Sequence, residues 1–292
     1  MTTPLVLLAA GLGRRFGGPK QLAEVGPNGE PLFIVTARRA LDAGFGRILV
    51  VTRAELADEL DQVIKRHLRG GPIEIVLQDA SGPTRPTPWG TAHAVAVCAP
   101  LVDGPLGVAN ADDHYGGESI GVLAGAVAAD GLAPTHAVIV GHRLGDTLSE
   151  EGPVNRAVCT VDAAGRVTAM VECFGLERVG DEVRDAEGTL HPADAVVSMN
   201  LLGLGAGVVQ RLARRFAEFA AAHADDGVEM VLPTELASML DAGEITVRCI
   251  PTTGHWAGLT HRGDLEPLRR VVARDLAEGA RKPDVRQADE QA

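Results

Sequence analysis

A chain of 292 residues with 46% hydrophobic and 23% charged side chains has enough apolar matter for a large core, either as one big domain or as one domain with an inserted lobe. Its formal net charge of −12 excludes general binding to nucleic acid or to anionic membranes, since both rely on a basic surface. Aromatics are only 3% of the chain, so the core must be built from Val, Leu and Ala.

The first apolar run, Leu5 to Ala10, has strand length and breaks at Gly11 into a segment holding Gly11, Gly13, Gly17, Gly18, Arg14, Arg15 and Lys20. A strand ending in such a loop can close backbone N–H groups and cations around phosphates. The dinucleotide fingerprint fails, because its third glycine position holds Phe16. The P-loop fails too, because Pro19 precedes Lys20 and Gln21 follows it. The chain has three lysines, Lys20, Lys65 and Lys282, against 24 arginines. A lysine inside this loop therefore points to a compact point charge for a triphosphate.

Further along, PLFIVTARRALDAG (Pro31 to Gly44) carries a helical stripe with Pro at its start and Gly at its end. Arg47 to Thr52 follows as a strand, Ala54 to Arg69 as an amphipathic helix and Ile73 to Gln78 as a strand. This alternation predicts right-handed βαβ units in a largely parallel sheet, covered on both faces, with ligands at the strands' carboxyl ends. The loop Asp79 to Trp89 is longer than a connector needs, which suits a lid or binding loop. A helix starts near Gly90, on which His93 reads as an ordinary helix-face histidine. The strand Pro105 to Ala111 then runs into Asp112-Asp113. Paired carboxylates at a sheet's carboxyl edge suit Mg²⁺, although Asp is also favoured in turns and caps.

A small-residue helix, Gly117 to Asp130, leads to the strand His136 to His142. Beyond it, Ala157 to Glu172 reads as a hairpin turning at Asp162 to Gly165, followed by a polar stretch, Glu177 to His191, and the strand Ala195 to Leu204. Helices are expected at Gly207 to Asp225, Met230 to Gly243 and Leu265 to Glu278, with a strand at Ile245 to Pro251. Residues 281–292 lack apolar periodicity and are expected to be disordered. Cys98, Cys159, Cys173 and Cys249 form no CxxC pair, so their spacing suggests neither a zinc site nor a disulfide framework, only thiols in a reducing compartment. The absence of a charged leader and of an apolar run of eighteen residues makes a cytoplasmic protein the expectation.

Gly11, Gly13, Arg15, Lys20, Gln21 and Leu22 fall in order on a pattern that resembles the signature of the sugar-phosphate nucleotidyltransferases. The resemblance implies a three-layer α/β/α sandwich with a mostly parallel mixed central sheet, Rossmann-like, and an inserted β-rich acceptor lobe. It would form one domain over 1–280, with a nucleotide-binding half at 1–142 and an acceptor-binding and C-terminal half at 143–280. It implies Mg²⁺-dependent joining of a nucleoside triphosphate to a sugar 1-phosphate or similar phosphorylated acceptor, giving a nucleotide-linked product and pyrophosphate. Arg15, Lys20 and Asp112 would be catalytic, and Ala10, Gly11, Gly13, Gln78, Gly90 and Thr91 would bind nucleotide. Glu172 and Asn200 would bind the acceptor, and Asp112 and Asp113 the metal.

Two departures from that family stand out. Val171-Glu172-Cys173 has Cys where the family has a lysine for the acceptor phosphate; either an arginine replaces it, with Arg156 and Arg262 as candidates, or the acceptor is held mainly through its hydroxyls, by Glu172. The segment Thr252 to Asp264 lacks the family's second metal-binding Asp at the expected place, and Asp264 reads instead as an N-cap. Two alternatives stay open: a catalytically silent subunit that senses nucleotides or nucleotide sugars, and a metal-dependent glycosyltransferase of related fold.

Overall fold

The structure, a computed structural model, describes residues 2–13, 16–128, 132–224 and 227–279. In chain order the strands and helices are β1 (Pro4–Leu8), α1 (Leu32–Asp42), β2 (Arg47–Thr52), α2 (Ala54–His67), β3 (Ile73–Leu77), α3 (Thr91–Ala96), β4 (Leu106–Asn110), β5 (Asp113–His114), α4 (Gly116–Ala128) and β6 (His136–Arg143). The second half continues with β7 (Val154–Val161), β8 (Val167–Val179), β9 (Glu182–Arg184), β10 (Leu190–Pro192), β11 (Val196–Leu204), α5 (Ala206–Ala222), α6 (Leu232–Asp241), β12 (Thr246–Pro251), β13 (Ala257–Gly258) and α7 (Leu265–Gly279). The expected disordered tail lies outside the described residues.

Among those residues, a mixed sheet of eleven strands forms the middle layer. Its first-half block, β3-β2-β1-β4, is all parallel, and β12 lies parallel to β6. The other ladders are antiparallel: β11 with β4, β6 and β7, and the meander β7-β8-β9-β10. The expected layered fold is thus present, with helices on both faces.

Strand β1 shows why the layers form. Its side chains alternate, as in any strand, and both sets are apolar. Val6 and Leu8 enter a core shared with α3, α5 and α6, while Leu5 and Leu7 enter one shared with α1, α2 and α4. A strand buried on both faces needs this unbroken apolar run. The helices repeat the logic at period 3.6: α5 buries Val208, Val209, Leu212, Phe216 and Ala220 along one stripe. A smaller cluster of Val25, Leu32, Val35, Leu259, Leu268 and Val272 fastens α7 beside the loop that follows β1.

Strand β11 changes neighbours partway along its length. Residues Val196 to Ser198 pair with β7, and Leu202 to Leu204 pair with β4, while β6 occupies the other edge throughout. The ladder is interrupted between Ser198 and Leu202, where Asn200 takes a left-handed φ of 58°. The sheet therefore divides at Asn200, level with the carboxyl end of β4.

Candidate active site

At the carboxyl ends of β1 and β4, the division of the sheet opens into a cleft of about 480 Å³. Its floor is the loop after β1. The carbonyl of Ala10 accepts from Arg53 Nε at 3.1 Å and that of Gly11 accepts from Gln21 Nε2 at 2.8 Å. A planar peptide points its amide opposite to its carbonyl, so tying back these two oxygens turns the amides of Gly11 and Leu12 the other way. Ala10, Gly11, Leu12 and Gly13 all line the cleft. The loop's tight return requires Gly13, whose φ is +59° and where a Cβ would lie 2.2 Å from the Gly18 carbonyl. Arg15, expected to be catalytic, lies outside the described residues.

Lys20 reaches across the cleft mouth, where its ammonium forms an ion pair with Asp112 and donates to the Leu259 carbonyl at 3.2 Å. Both partners keep about a fifth of their side-chain surface exposed, 20% and 19%, so the charges remain open to an incoming ligand. The segment Thr252 to Asp264, which lacks the family's second metal-binding Asp, arrives here through its backbone. Strand β13 pairs with β5, and Leu259 N–H donates to the Asp112 carbonyl at 3.0 Å. Asp264 turns away from the cleft, and its carboxylate accepts from the N–H groups of Thr260 at 2.8 Å and His261 at 2.6 Å. It caps the short turn Arg262–Asp264 ahead of α7.

Asp112 and Asp113 have different surroundings. Asp113 is 7% exposed and does not line the cleft. Its carboxylate accepts from Asn110 Nδ2 at 2.7 Å, and the Tyr115 hydroxyl, 3.3 Å away, shares its proton between Asp113 and the Met199 carbonyl at 2.8 Å. Burial, then the charge of Asp112, push the Asp113 carboxyl up, and the Asn110 hydrogen bond offsets this in part. Asn110 in turn accepts from Asn200 Nδ2 at 3.2 Å. The oxygens Asn200 Oδ1 and Gln21 Oε1 are buried without a hydrogen-bond partner, and both residues line the cleft. A buried oxygen left unpaired is costly unless a ligand supplies the missing contact. Asp112 brings a hard oxygen to the cleft and Asn200 a buried amide oxygen without a partner, a donor pair that fits Mg²⁺, which binds through few protein ligands and keeps waters.

The far end of the cleft is formed by Gln78, Gly90, Thr91, Gly227 and Glu229. Gln78 is 2% exposed, and its amide nitrogen donates to the Gly90 carbonyl at 2.9 Å while facing His93 Nδ1 at 3.3 Å. Because that nitrogen only donates, Nδ1 is the bare acceptor and Nε2 carries the ring proton. His93 is fully buried and stacked on Phe216 at 3.8 Å, so it is a support for Gln78 where the sequence suggested an ordinary helix-face residue. Burial, helped by the Arg85 charge, holds it down at about 4 and therefore neutral. Gly90 has φ +101°, and a Cβ there would sit 2.5 Å from the Met230 carbonyl. Thr91 Oγ1 accepts from Leu232 N–H at 2.9 Å, which ties α3 to the start of α6.

Glu172, expected to hold the acceptor, is half-buried on β8 and does not line this cleft. Burial pushes its carboxyl up while the Arg156 charge draws it down. Arg156 itself bonds to Thr147 and lies 4.9 Å over the Trp256 ring. Arg262 packs against Gly17 and donates from Nε to the Phe16 carbonyl at 3.0 Å, in the loop that follows β1. Gln21, Asn110 and Tyr115 were not chosen from the sequence as site residues. Only Gln21 carried a signal, its place next to Lys20.

Residues 5–140 match the MobA-like NTP transferase domain. Across nearly the whole chain the fold is similar to that of the inositol-1-phosphate CTP transferase from T. maritima, with a TM-score of 0.62 at 14% identity over 95% of this chain and 97% of that one. HddC from Yersinia pseudotuberculosis, solved with GMP-PN, aligns with a TM-score of 0.60 at 14% identity over 92% and 99% of the two chains. The CTP:phosphocholine cytidylyltransferase LicC from Streptococcus pneumoniae aligns at 0.58 and 13% identity over 93% and 100%. No curated protein matches the sequence. No helix among the described residues is long and apolar enough to cross a membrane.

Proposed function

We propose that this chain, whose residues 5–140 match the MobA-like NTP transferase domain, is a nucleotidyltransferase that joins a nucleoside triphosphate to a sugar 1-phosphate or similar phosphate monoester, releasing pyrophosphate. The observation that carries this reading is the Lys20–Asp112 ion pair at the mouth of the cleft. It sets a cation for phosphate beside a carboxylate for metal, each neutralising the other until substrate separates them. The relatives of similar fold named for inositol 1-phosphate and phosphocholine support a phosphate monoester as acceptor.

In this reading the triphosphate lies along the loop Gly11 to Gly13 and its base reaches Gln78, Gly90 and Thr91. An acceptor phosphate oxygen attacks the α-phosphorus, forming a new P–O bond as the bond to the β-phosphate bridging oxygen breaks and pyrophosphate leaves. Such a transfer is mostly positioning and charge neutralisation. Lys20 leaves Asp112 for the α-phosphate, where charge builds, and Arg15 steadies the triphosphate. Asp112 and Asn200 Oδ1 would hold Mg²⁺, which supplies charge neutralisation across the phosphate oxygens. Asp113 acts as the brace of that turn and Asn200 also as an acceptor contact. Glu172, outside the cleft, serves by keeping Arg156 in place. A sheet that takes strands from both 1–142 and 143–280 supports treating them as one working unit.

The test is pyrophosphate release from the purified protein with each common nucleoside triphosphate against a panel of sugar 1-phosphates, inositol phosphate and phosphocholine, with and without Mg²⁺. One triphosphate and one acceptor class should give turnover that chelator abolishes. Tight nucleotide-sugar binding with no pyrophosphate from any pair would overturn the reading in favour of a sensing subunit.

A further inference from the structure

Away from the cleft, the meander β8-β9-β10 brings together three residues that the sequence keeps apart. Cys173 Sγ, a carboxylate oxygen of Asp185 and a ring nitrogen of His191 all lie within 4.8 Å of one another. Asp185 opens the turn between β9 and β10, where its Oδ1 accepts from the N–H groups of Glu187 at 3.0 Å and Thr189 at 2.8 Å. That accounts for one oxygen. The other, Oδ2, faces His191 Nε2 at 2.9 Å, and the same turn is bound to β8 through Ala186 N–H and the Phe174 carbonyl at 2.8 Å. The donors are shielded, with Cys173 8% exposed and the Asp185 and His191 side chains 9% and 16%.

We propose that Cys173, Asp185 and His191 are a binding site for a zinc-class divalent ion, which clamps β8 to the β9–β10 hairpin. One sulfur, one imidazole nitrogen and one carboxylate oxygen form a borderline-soft set that suits Zn²⁺ and disfavours Mg²⁺ or Ca²⁺. Water completes the fourth position. Tetrahedral Zn²⁺ bonds of about 2.0–2.3 Å set neighbouring donors about 3.3–3.6 Å apart, so the Asp185–His191 pair, at 2.9 Å, opens by a few tenths of an ångström while Cys173, within 4.8 Å of both, closes in. The electrostatics run the same way. The carboxylates of Asp185, Glu172 and Glu187 lie around Cys173, a negative surrounding that favours a dication over the proton of the thiol. An arriving dication displaces that proton and forms the metal–sulfur bond, so one proton leaves per ion bound. The inference is independent of the phosphate cleft.

Cobalt tests it in the full-length protein, stripped with chelator and then titrated. A thiolate-to-cobalt absorption band should grow to one ion per chain, with about one proton released, and Zn²⁺ should displace it. Cys173→Ser should abolish the band, His191→Gln and Asp185→Asn should weaken binding by about tenfold or more, and Asp112→Asn should leave the band intact. No thiolate band in the wild type, or a band that survives Cys173→Ser, overturns the proposal. If Cys173→Ser fails to fold by circular dichroism, His191→Gln and Asp185→Asn decide it, and unchanged affinity in both is fatal.

Discussion

In Asp112→Asn the side chain keeps its shape and loses its charge, so the cleft loses its anionic oxygen and Lys20 its partner. Pyrophosphate release is expected to fall by about 10²-fold or more, whereas Asp113→Asn, whose partners are Asn110 and Tyr115, should lower melting temperature more than turnover. Equal losses of turnover in the two variants would contradict the division of roles. Lys20→Ala should reduce kcat more than it raises KM for the triphosphate, by about 2.7–4 kcal/mol of transition-state stabilisation; an unchanged kcat would make Lys20 a binding residue only. The sequence marked Lys20 and Asp112 through their neighbours, a glycine loop and a strand end, and the fold brings the two side chains together. Asn110 was not marked, and Gln21 only by its place beside Lys20, since an amide completes a site by where the fold leaves its oxygen and not by any spacing; Asn200 was expected as an acceptor contact, and its unpaired oxygen beside Asn110 was not. Glu172 shows the converse: a residue chosen by its place in a motif sits on a strand outside the cleft.

The segments that shape the cleft are held by backbone geometry, and Gly90 is the most exacting point. In Gly90→Ala a side chain must adopt φ +101° and displace the Met230 carbonyl. We expect a loss of at least about 2 kcal/mol in urea unfolding together with a raised KM for the triphosphate, because α3 and the Gly227 to Met230 stretch move apart. A fully stable variant with normal KM would show that this contact is dispensable. Elements with strong periodicity were readable in advance, among them the run of β1 and the stripe of α5. The helix expected to start near Gly90 is α3, which ends at Ala96 although small apolar residues continue past it. The polar stretch Glu177 to His191 holds β9 and β10, three residues each. Strands this short have too few residues to show a period of two. The pairing of β5 with β13 is shorter still. For the same reason the grouping of Cys173 with Asp185 and His191 is invisible to cysteine spacing: two hairpins create it, not a motif.

For the molecule as a whole, acid should find two buried histidines. His93 and His142 are both driven by burial from about 6.5 to about 4, so each is neutral when folded and protonates more readily when unfolded. Their depressed values mean that the stability they permit is present above pH 6.5 and lost as pH falls toward 4, at up to about 1.4 kcal/mol per pH unit for each. At His142 burial outweighs the backbone contact with Val140 and the charge of Asp146, so His142→Phe should leave stability at pH 7.5 within about 1 kcal/mol while flattening the decline between pH 6.5 and 4.5. Parallel curves for the two proteins in urea titrations would contradict this. The alternation of strands and helices made the parallel block readable, but the place where β11 leaves β7 for β4 was not, because pairing partners far apart in the chain leave no local trace. That late strand also sets an order of events during synthesis. The block β3-β2-β1-β4 can assemble once residue 110 has emerged, but the outer edge of β4 gains its partner only when Leu202 to Leu204 arrive. For some ninety residues of elongation this edge is an open template of unpaired backbone, the kind that recruits other strands. A chain stopped before residue 196 is expected to sediment as aggregate, and one that runs on through β12 should return to the supernatant, since it restores both the partner of β4 and the helices that cover Val6 and Leu8.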